Sequence, residues 1–388
     1  MLDQFTTNWN YPTAVRTGIG RVNDLPEICQ SLGVNNPLIV TDPGLHDLPM
    51  LRAAHELCST QLNDCGLFFD IKANPNEKNV AQGVLACKQG AHDGVIAFGG
   101  GSALDAGKAI ALMVGQSDSI WNFEDIGDNH LRVNVDGILP IVAVPTTSGT
   151  GSEVGRSSII TDSERKAKKI IFHAKMMPAA VVLDAELTCG LPAQLTAATG
   201  MDALSHNLEA LCSPIYHPMA RGIAMEGIRL IKDCLPAAVA DGSDLEARTH
   251  MQVASCMGAT AFQKGLGAMH ALAHPLGAVF DAHHGMLNAI LMPYVLKANK
   301  KAIGEDLTDA SRYINLSNPG FQSFFDWVLE LRSQLNIPHT LAEIDIDDAQ
   351  IETIANMAIA DPTASTNPIQ FTTAEYRDIC LNAIRGIL

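Results

Sequence analysis

The C-terminal half of the chain spaces carboxylate and imidazole side chains as a metal site would. Asp202 and His206 stand four residues apart, which puts both on one face of a helix. His270 and His274 have the same spacing, and the pair His283-His284 follows. Imidazole and carboxylate ligands together suit Zn²⁺ or Fe²⁺. A packed core histidine is the ordinary alternative for each ring, so spacing alone leaves both interpretations open.

A glycine-rich loop follows an apolar run in the N-terminal half. Gly99-Gly100-Gly101 is followed by Ser102 and, three residues later, by Asp105. Glycines let a backbone approach a diphosphate, and a helix N-terminus supplies free N–H groups. The alternative is a turn in which Ser102 and Asp105 form a capping box, but capping does not need three glycines. The loop departs from G-x-G-x-x-G, because the plausible ribose partner, Asp42, precedes the glycines instead of following them.

A second loop follows the next strongly apolar run. The nine residues 145–153 contain five hydroxyl side chains and two glycines. They offer many short hydrogen-bonding groups around a polar ligand, although Ser/Thr-rich connectors are common in proteins of every kind. We interpret the loop as facing a ligand, because it follows a buried strand in the same half as the glycine loop.

Short apolar runs alternate with helix-length segments through the first half of the chain. Such runs are typical of parallel strands covered on both faces, and they span 37–41, 93–98, 138–144 and 180–183. Helices are predicted over 50–65, 77–90 and 103–115. After residue 193 helical patterns dominate, ending in a helix capped by Thr372 and Glu375. We predict an α/β N-terminal doubly wound nucleotide-binding domain over 1–190, an all-helical domain over 191–388, and a ligand cleft between them.

Composition excludes several classes of partner. The 388 residues include 26 basic and 42 acidic side chains, a net charge of −16, which argues against nucleic acid or anionic lipid as the main partner. The nine cysteines never form C-x-x-C and indicate reduced thiols. Residues 1–6 lack a signal-peptide layout, and no apolar run approaches the roughly 18–20 residues of a membrane span. The sequence predicts a cytoplasmic protein with no nucleic-acid or membrane partner.

Taken together, four ordered motifs resemble the iron-containing (group III) alcohol dehydrogenases. The resemblance extends from Gly18-Ile19-Gly20 to Asn367-Pro368. The motifs are the loop Gly99–Asp105, the loop Pro145–Thr150, the segment Ala198–His206, and the long segment Gly265–Gly277 with His284-Gly285 following.

The resemblance implies a dehydroquinate synthase-like architecture, a metal and NAD. It implies the metal ligands Asp202, His206, His270 and His284, with Fe²⁺ as the ion; Zn²⁺ is possible because it outcompetes Fe²⁺ at most nitrogen and oxygen sites. His274 then lies in the cleft as a proton relay, a cofactor or substrate contact, or a partner that orients a ligand. The implied cofactor-binding residues are Asp42, Asn74, Gly100, Gly101, Ser102, Asp105, Thr146, Thr147, Thr150 and Lys168, the run Lys166-Ala167-Lys168-Lys169 leaving the lysine's register open by one residue.

The expected activity is hydride transfer between NAD(H) and a small primary alcohol or aldehyde, in a homodimer or larger homo-oligomer. A hydroxy acid or its semialdehyde becomes attractive as substrate if Lys264 points into the cleft, whereas a solvated surface lysine is the plainer alternative. Phe262 and Gln263 are the other residues suggestive of a substrate contact. The rival is a dehydroquinate synthase-like lyase, which should carry several basic residues in the ligand-bearing stretch. Residues 254–296 contain only Lys264. A non-catalytic binding protein is a more distant third.

Overall fold

The computed structural model describes residues 13–165 and 167–388, together with the backbone of residues 7–9. Residues 1–6, on which the expectation about a signal peptide rests, lie outside the described residues, as does Lys166. The chain divides into two compact units. One comprises Met1–Thr147 and Gly151–Gly190, and the other comprises Ser148–Thr150 and Leu191–Leu388.

The first unit is built on a seven-stranded sheet with the order β1-β2-β9-β6-β5-β3-β4. All neighbouring strands are parallel except β1 and β2, and β7 pairs with β8 in a separate antiparallel hairpin. The strands are β1 (Thr7–Trp9), β2 (Ala14–Thr17), β3 (Pro37–Val40), β4 (Gly66–Phe68), β5 (Gly94–Gly99), β6 (Ile141–Pro145), β7 (Ser157–Asp162), β8 (Ala167–Phe172) and β9 (Ala180–Leu183).

Helices cover both faces of this sheet. The helices are α1 (Leu25–Ser31), α2 (Pro43–His46), α3 (Pro49–Gln61), α4 (Glu77–Gln89) and α5 (Gly101–Met113). On one face Ile96 and Phe98 of β5 join a core with side chains of α1 and α3. On the other, Gly107 of α5 packs so closely on β5 that a Cβ at Gly107 would lie 2.6 Å from the Cβ of Ala97. Two-sided burial explains why these strands are continuously apolar.

The chain reverses its direction across the sheet between β3 and β5. From β3 it proceeds to β4 at one edge, and then returns to β5, β6 and β9 on the other side of β3. In open parallel sheets ligands bind at such a switch point, outside the carboxyl ends of the strands. Asp42 follows β3, Gly99-Gly100 ends β5, and Thr146 follows β6. The topology therefore gathers the two predicted nucleotide loops and Asp42 at one edge.

Among its described residues, the second unit has no strand in its long C-terminal part. Its helices are α6 (Ala193–Cys212), α7 (Pro218–Ala240), α8 (Leu245–Ala261), α9 (Ala268–Phe280), α10 (His284–Tyr313), α11 (Phe321–Gln334), α12 (Ile351–Ala360) and α13 (Thr373–Arg385). The capping box of Thr372 and Glu375 begins α13. The prediction of an α/β N-terminal part and a helical C-terminal part is confirmed. In the part of the chain that the structure describes, no helix is both long and apolar enough for a membrane span.

Some local expectations were wrong. The capping-box alternative for Ser102 and Asp105 fails, because α5 begins after Gly100 and has no side-chain cap. The sequence patterns also missed the short strands β1, β2 and β4 and the hairpin of β7 and β8. β1, β2 and β4 have only three or four residues, and polar side chains interrupt β7 and β8, so none of these strands forms a continuous apolar run.

Candidate active site

Three helices of the second unit bring four predicted ligands together. Asp202 and His206 lie one turn apart on α6, His270 lies in the first turn of α9, and His284 begins α10. One ligand atom from each lies within 4.8 Å of the others. Glycine makes the close approach of α10 possible, because a Cβ at Gly285 would stand 2.6 Å from the Ala198 carbonyl oxygen on α6.

Hydrogen bonds orient two of the imidazoles. The Nδ1 atom of His206 lies 3.2 Å from the Gly149 carbonyl oxygen, which can only accept, so Nδ1 carries the proton. The Nδ1 atom of His270 lies 2.7 Å from Oε2 of Glu209. The two rings stack with centroids 4.7 Å apart. Both hydrogen bonds leave Nε2 unprotonated and able to ligate a metal ion.

The buried groups have shifted pKa values. Burial would raise the pKa of Asp202, but the positive charge available on His206, His284 and His270 outweighs it and lowers that pKa to about 2. Burial lowers the pKa of His206 to about 4. Burial acts in the same direction on His270, yet Glu209 and Asp202 outweigh it and raise the pKa of that imidazole. At neutral pH Asp202 is therefore a carboxylate and His206 a neutral imidazole, which are their ligating forms.

Asn288, one turn after His284 on α10, lies at the centre of the cluster. Its Nδ2 atom is 2.8 Å from Oδ1 of Asp202 and 3.2 Å from Nε2 of both His270 and His284. One amide nitrogen carries only two hydrogens, so it cannot satisfy three acceptors. The Oδ1 atom of Asn288 is buried without a hydrogen-bond partner. Several acceptor atoms therefore converge where the protein supplies too few hydrogen-bond donors, which is the arrangement expected of a cation site. Three imidazole nitrogens and one carboxylate suit Fe²⁺ or Zn²⁺.

His274 belongs to the same cluster but is not one of the four grouped donors. Its ring centroid lies 5.5 Å from that of His284 and 5.9 Å from that of His270. Its Nδ1 atom lies 2.8 Å from Oδ2 of Asp361, the residue that ends α12. Burial would raise the pKa of Asp361, but the hydrogen bond and charge of His274 lower it. His274 is thus held by a carboxylate on one nitrogen, with the other nitrogen available.

The structure changes the interpretation of residues 262–264. Lys264 is 5% exposed, and its ammonium donates to the carbonyl oxygens of Ala210, Leu211 and Ser213 at the C-terminal end of α6. It is neither a surface lysine nor free to pair with a substrate carboxylate. The Phe262 ring lies 5.2 Å from the His206 ring and is therefore the member of this triplet beside the cluster.

In the first unit, the predicted cofactor residues converge at the switch point of the sheet. Gly99 has φ +148°, and a Cβ there would stand 2.7 Å from the Cβ of Ala103 and 3.4 Å from Oδ2 of Asp42. A Cβ at Gly100 would stand 3.4 Å from Cγ2 of Thr147. Asp42 accepts a hydrogen bond from the Gly44 backbone, and partial burial raises the pKa of its carboxyl. Glycine-lined space beside a helix N-terminus without a side-chain cap fits a diphosphate.

The other predicted cofactor residues have different surroundings. Ser102 donates from Oγ to the carbonyl of Ala73, which precedes Asn74 in the chain. Thr146 donates its backbone N–H to Gly99, and Lys168 lies on β8 opposite Thr161. The next residue, Lys169, is buried in ion pairs with Glu124 and Asp162. Thr150 groups with the second unit.

Asp105 has an internal role. Its Oδ1 atom accepts from Ser152 Oγ at 2.5 Å and lies 3.2 Å from Nζ of Lys108, while Oδ2 accepts from the Ile159 backbone at 2.9 Å. Lys108 in turn donates to the carbonyls of Ser152 and Ser157. These contacts join α5 to the β6–β7 connection and to β7, so Asp105 supports the loop from inside.

Sequence reasoning missed three polar residues of the cluster: Glu209, Asn288 and Asp361. Glu209 lies three residues after His206 and seven after Asp202, and Asn288 lies four after His284. Helical spacing on the ligand-bearing faces was therefore a signal that could have found both. Asp361 is 87 residues from His274, and no local pattern connects them.

Comparisons with known proteins agree with this arrangement. A family model described as iron-containing alcohol dehydrogenase matches residues 12–185, and the C-terminal model of the same family matches residues 196–384. The chain belongs to the iron-containing alcohol dehydrogenase family. The resemblance drawn from the four motifs is thereby confirmed, and the protein is an oxidoreductase acting on alcohols. The lyase alternative on the same architecture is not favoured.

The relatives cover nearly the whole chain. A 4-hydroxybutyrate dehydrogenase of Cupriavidus necator is 35% identical over 377 residues, which cover 95% of this chain and 97% of the relative. A solved 1,3-propanediol oxidoreductase has a TM-score of 0.91 at 33% identity and covers 95% of this chain and 97% of its own. Sulfoacetaldehyde reductase from Bifidobacterium kashiwanohense, solved in complex with NAD⁺, has a TM-score of 0.87 at 27% identity, covering 97% of this chain and 98% of its own.

Proposed function

We propose that this protein is a metal-dependent, NAD(H)-linked alcohol dehydrogenase and aldehyde reductase for a small primary alcohol/aldehyde pair. The observation that carries the proposal is the cluster of Asp202, His206, His270 and His284, whose ligand atoms lie within 4.8 Å of one another. The family supplies the reaction class. The cluster supplies the place where an alcohol oxygen is activated.

Asp202, His206, His270 and His284 would hold one divalent ion, Fe²⁺ by family and Zn²⁺ as the alternative. When bound, such an ion stabilises negative charge on an alcohol oxygen or polarises a carbonyl. The residues themselves provide the fixed ligands. His206 and His270 are held through Nδ1, and Asp202 is ionised over the whole physiological pH range because its pKa is about 2.

The loops at the switch point of the sheet would hold NAD. We assign the diphosphate to Gly100, Gly101 and Ser102 with Thr146, Thr147 and Thr150, and we assign further contacts to Asn74 and Lys168. When bound, the nicotinamide accepts or returns the hydride. Asp42 would accept hydrogen bonds from ribose hydroxyls and repel the 2′-phosphate of NADP. The sulfoacetaldehyde reductase relative contains NAD⁺ in its structure, which supports this choice.

His274 would move the alcohol proton. The carboxylate of Asp361 holds Nδ1 of His274, so Nε2 is the nitrogen that can accept a proton and release it to solvent. This arrangement of a base oriented by a buried carboxylate is common in enzymes that transfer protons. Among the side chains of the protein, His274 would accordingly be the one that takes part directly in the reaction.

The substrate class rests on the relatives and on the side chains near the cluster. Names among the relatives include 4-hydroxybutyrate and 1,3-propanediol dehydrogenases, both acting on small molecules with a primary hydroxyl. Phe262 offers an apolar surface beside His206. These names cover both a hydroxy acid and a neutral diol. Lys264 is the only lysine or arginine in residues 254–296 and caps α6, so this stretch offers no such side chain to a substrate carboxylate, which favours a neutral short alcohol.

Metal analysis tests the ligand set. Purified protein should contain about one divalent ion per chain, and His270→Ala should lose it. The matched control is His283→Ala, because His283 caps α10 through a hydrogen bond from the Met286 backbone and is not one of the four grouped donors. Undiminished metal in His270→Ala would remove His270 from the ligand set, and loss of metal in His283→Ala would add that residue to it.

A substrate panel tests the activity. NAD reduction should be followed by absorbance with neutral short alcohols and with ω-hydroxy acids, and the neutral alcohols should show the higher kcat/KM. The same assay with NADP should give a lower kcat/KM than with NAD, and Asp42→Gly should reduce the difference between the two cofactors. A preference for NADP would refute the role of Asp42.

A cytoplasmic location and a homo-oligomeric state remain predictions of the sequence. Light scattering would measure the oligomeric state.

A further inference from the structure

Glu209 is a buried carboxylate inside the candidate metal centre. It lies on α6, on the face that carries Asp202 and His206, and is 6% exposed. Its Oε2 atom accepts from Nδ1 of His270 at 2.7 Å and from the Gly267 backbone at 2.8 Å, and its Oε1 atom accepts from the Met269 backbone at 2.7 Å. All three of these donors lie in the segment that begins α9.

These contacts fix one tautomer of His270. A carboxylate only accepts hydrogen bonds, so Nδ1 must carry the ring proton and Nε2 keeps its lone pair. That lone pair points to the cluster, where Nε2 lies 3.2 Å from Nδ2 of Asn288. The two backbone N–H groups hold the carboxylate at the positive end of the α9 dipole, so its position is set from two directions.

The packing around the carboxylate leaves little freedom. A Cβ at Gly267 would stand 2.9 Å from Oε1 of Glu209 and 2.8 Å from Oδ1 of Asn367. Asn367 accepts from the Ala268 backbone at 3.0 Å and therefore holds the same end of α9 without contacting His270. Glycine at position 267 is thus what allows both side chains to reach the helix end together.

Charge favours the same conclusion. Among the described residues, the ion pairs of Glu209 include only His270 and no lysine or arginine. A carboxylate hydrogen-bonded behind a ligating histidine strengthens that ligand.

We propose that Glu209 is a positioning residue of the metal centre, which holds His270 in the Nδ1–H tautomer and so presents Nε2 of that ring to a divalent ion. The inference rests on the proposed metal site. Glu209 acts through His270 and does not contact the ion itself. The hydrogen bonds that Glu209 accepts from the Gly267 and Met269 backbone cap α9 and are a separate, structural function.

Zn²⁺ affinity of the full-length protein, measured by competition with a chromophoric chelator, tests the proposal. Glu209→Gln should weaken Zn²⁺ binding by about 10- to 100-fold, the range for partners behind metal ligands. In a His270→Ala background, the same substitution should weaken the residual binding no further. Asn367→Ala is the matched control: it should lower thermal stability, because α9 loses a capping bond, and leave Zn²⁺ affinity unchanged.

The outcomes separate the two proposals. Wild-type Zn²⁺ affinity in Glu209→Gln, or an equal further loss in the His270→Ala background, overturns the positioning role of Glu209. Wild-type affinity in His270→Ala instead overturns the ligand set of the proposed function. If Glu209→Gln does not fold, ¹⁵N NMR spectra of the wild-type protein can show which ring nitrogen of His270 carries the proton. The His270 signal is identified as the one that is missing from the spectrum of His270→Ala. A protonated Nδ1 supports the proposal and a protonated Nε2 overturns it.

Discussion

Three histidines of the cluster are each oriented by one hydrogen-bond partner. His206 donates to the Gly149 carbonyl, His270 to Glu209, and His274 to Asp361. The partner decides which nitrogen of each imidazole remains free, and so what the ring can do. His274 differs from the two proposed ligands because it lies outside the group of four donors, and its second nitrogen, Nε2, is the one suited to the proposed proton transfer.

His274→Phe should lower kcat by about 10²- to 10⁴-fold, the usual contribution of a general acid or base. Metal content and NAD affinity should stay at wild-type values, because the ring is neither a ligand nor part of the nucleotide loops. Asp361→Asn is the companion variant and should lower kcat less, since the amide still reaches Nδ1 but carries no charge. Steady-state kinetics across pH is the measurement. Full activity with an unchanged pH profile would exclude the relay, and lost metal would move His274 into the ligand set.

Helix α6 carries much of the centre and is closed at its C-terminal end by a buried ammonium. Lys264→Met should lower the free energy of unfolding by about 1–3 kcal/mol, because buried carbonyls of Ala210, Leu211 and Ser213 lose a charged donor. The control is Lys297→Met, which removes an exposed lysine from α10. Urea unfolding of the metal-free protein measures both. Unchanged stability with a selective loss of activity on hydroxy acids would instead return Lys264 to a substrate role.

Helix α5 requires glycine where helix propensity favours alanine. Gly107→Ala should destabilise the protein, because the new Cβ would stand 2.6 Å from the Cβ of Ala97 and 3.2 Å from its Cα. Gly222→Ala in α7 meets nothing within 4 Å and should stabilise by up to about 1 kcal/mol from propensity alone. Thermal denaturation of the two variants should therefore give shifts of opposite sign. A stabilised Gly107→Ala would show that β5 and α5 separate readily.

At the scale of the whole molecule, the two compact units carry different parts of the proposed chemistry. All four proposed metal ligands belong to the second unit, whereas Asp42 and the glycine loop belong to the first. A ligand stabilises the state to which it binds by mass action, so each one should protect its own unit from opening. The units can therefore be examined separately in the intact chain.

Hydrogen exchange followed by mass spectrometry should resolve the two effects. Zn²⁺ added to metal-free protein should slow exchange in α6, α9 and the start of α10, because their ligands are drawn to one ion. NAD added in the absence of metal should slow exchange in the segments that follow β3, β5 and β6. Protection by Zn²⁺ confined to the segments after these strands would contradict the assignment of the metal to the helical unit.

The sequence by itself determined the features that depend on near neighbours in the chain. Continuous apolar runs predicted β5, β6 and β9, and the four-residue spacing predicted that Asp202 and His206 share a helical face, because both patterns repeat within a few residues. Tertiary structure alone decided the contacts between helices. That Glu209 meets His270, that Asp361 meets His274, and that Lys264 turns to the end of α6 depend on packing between residues 51 to 87 positions apart. Local periodicity does not encode such pairs, because they form only when close-packed helices bring distant faces together.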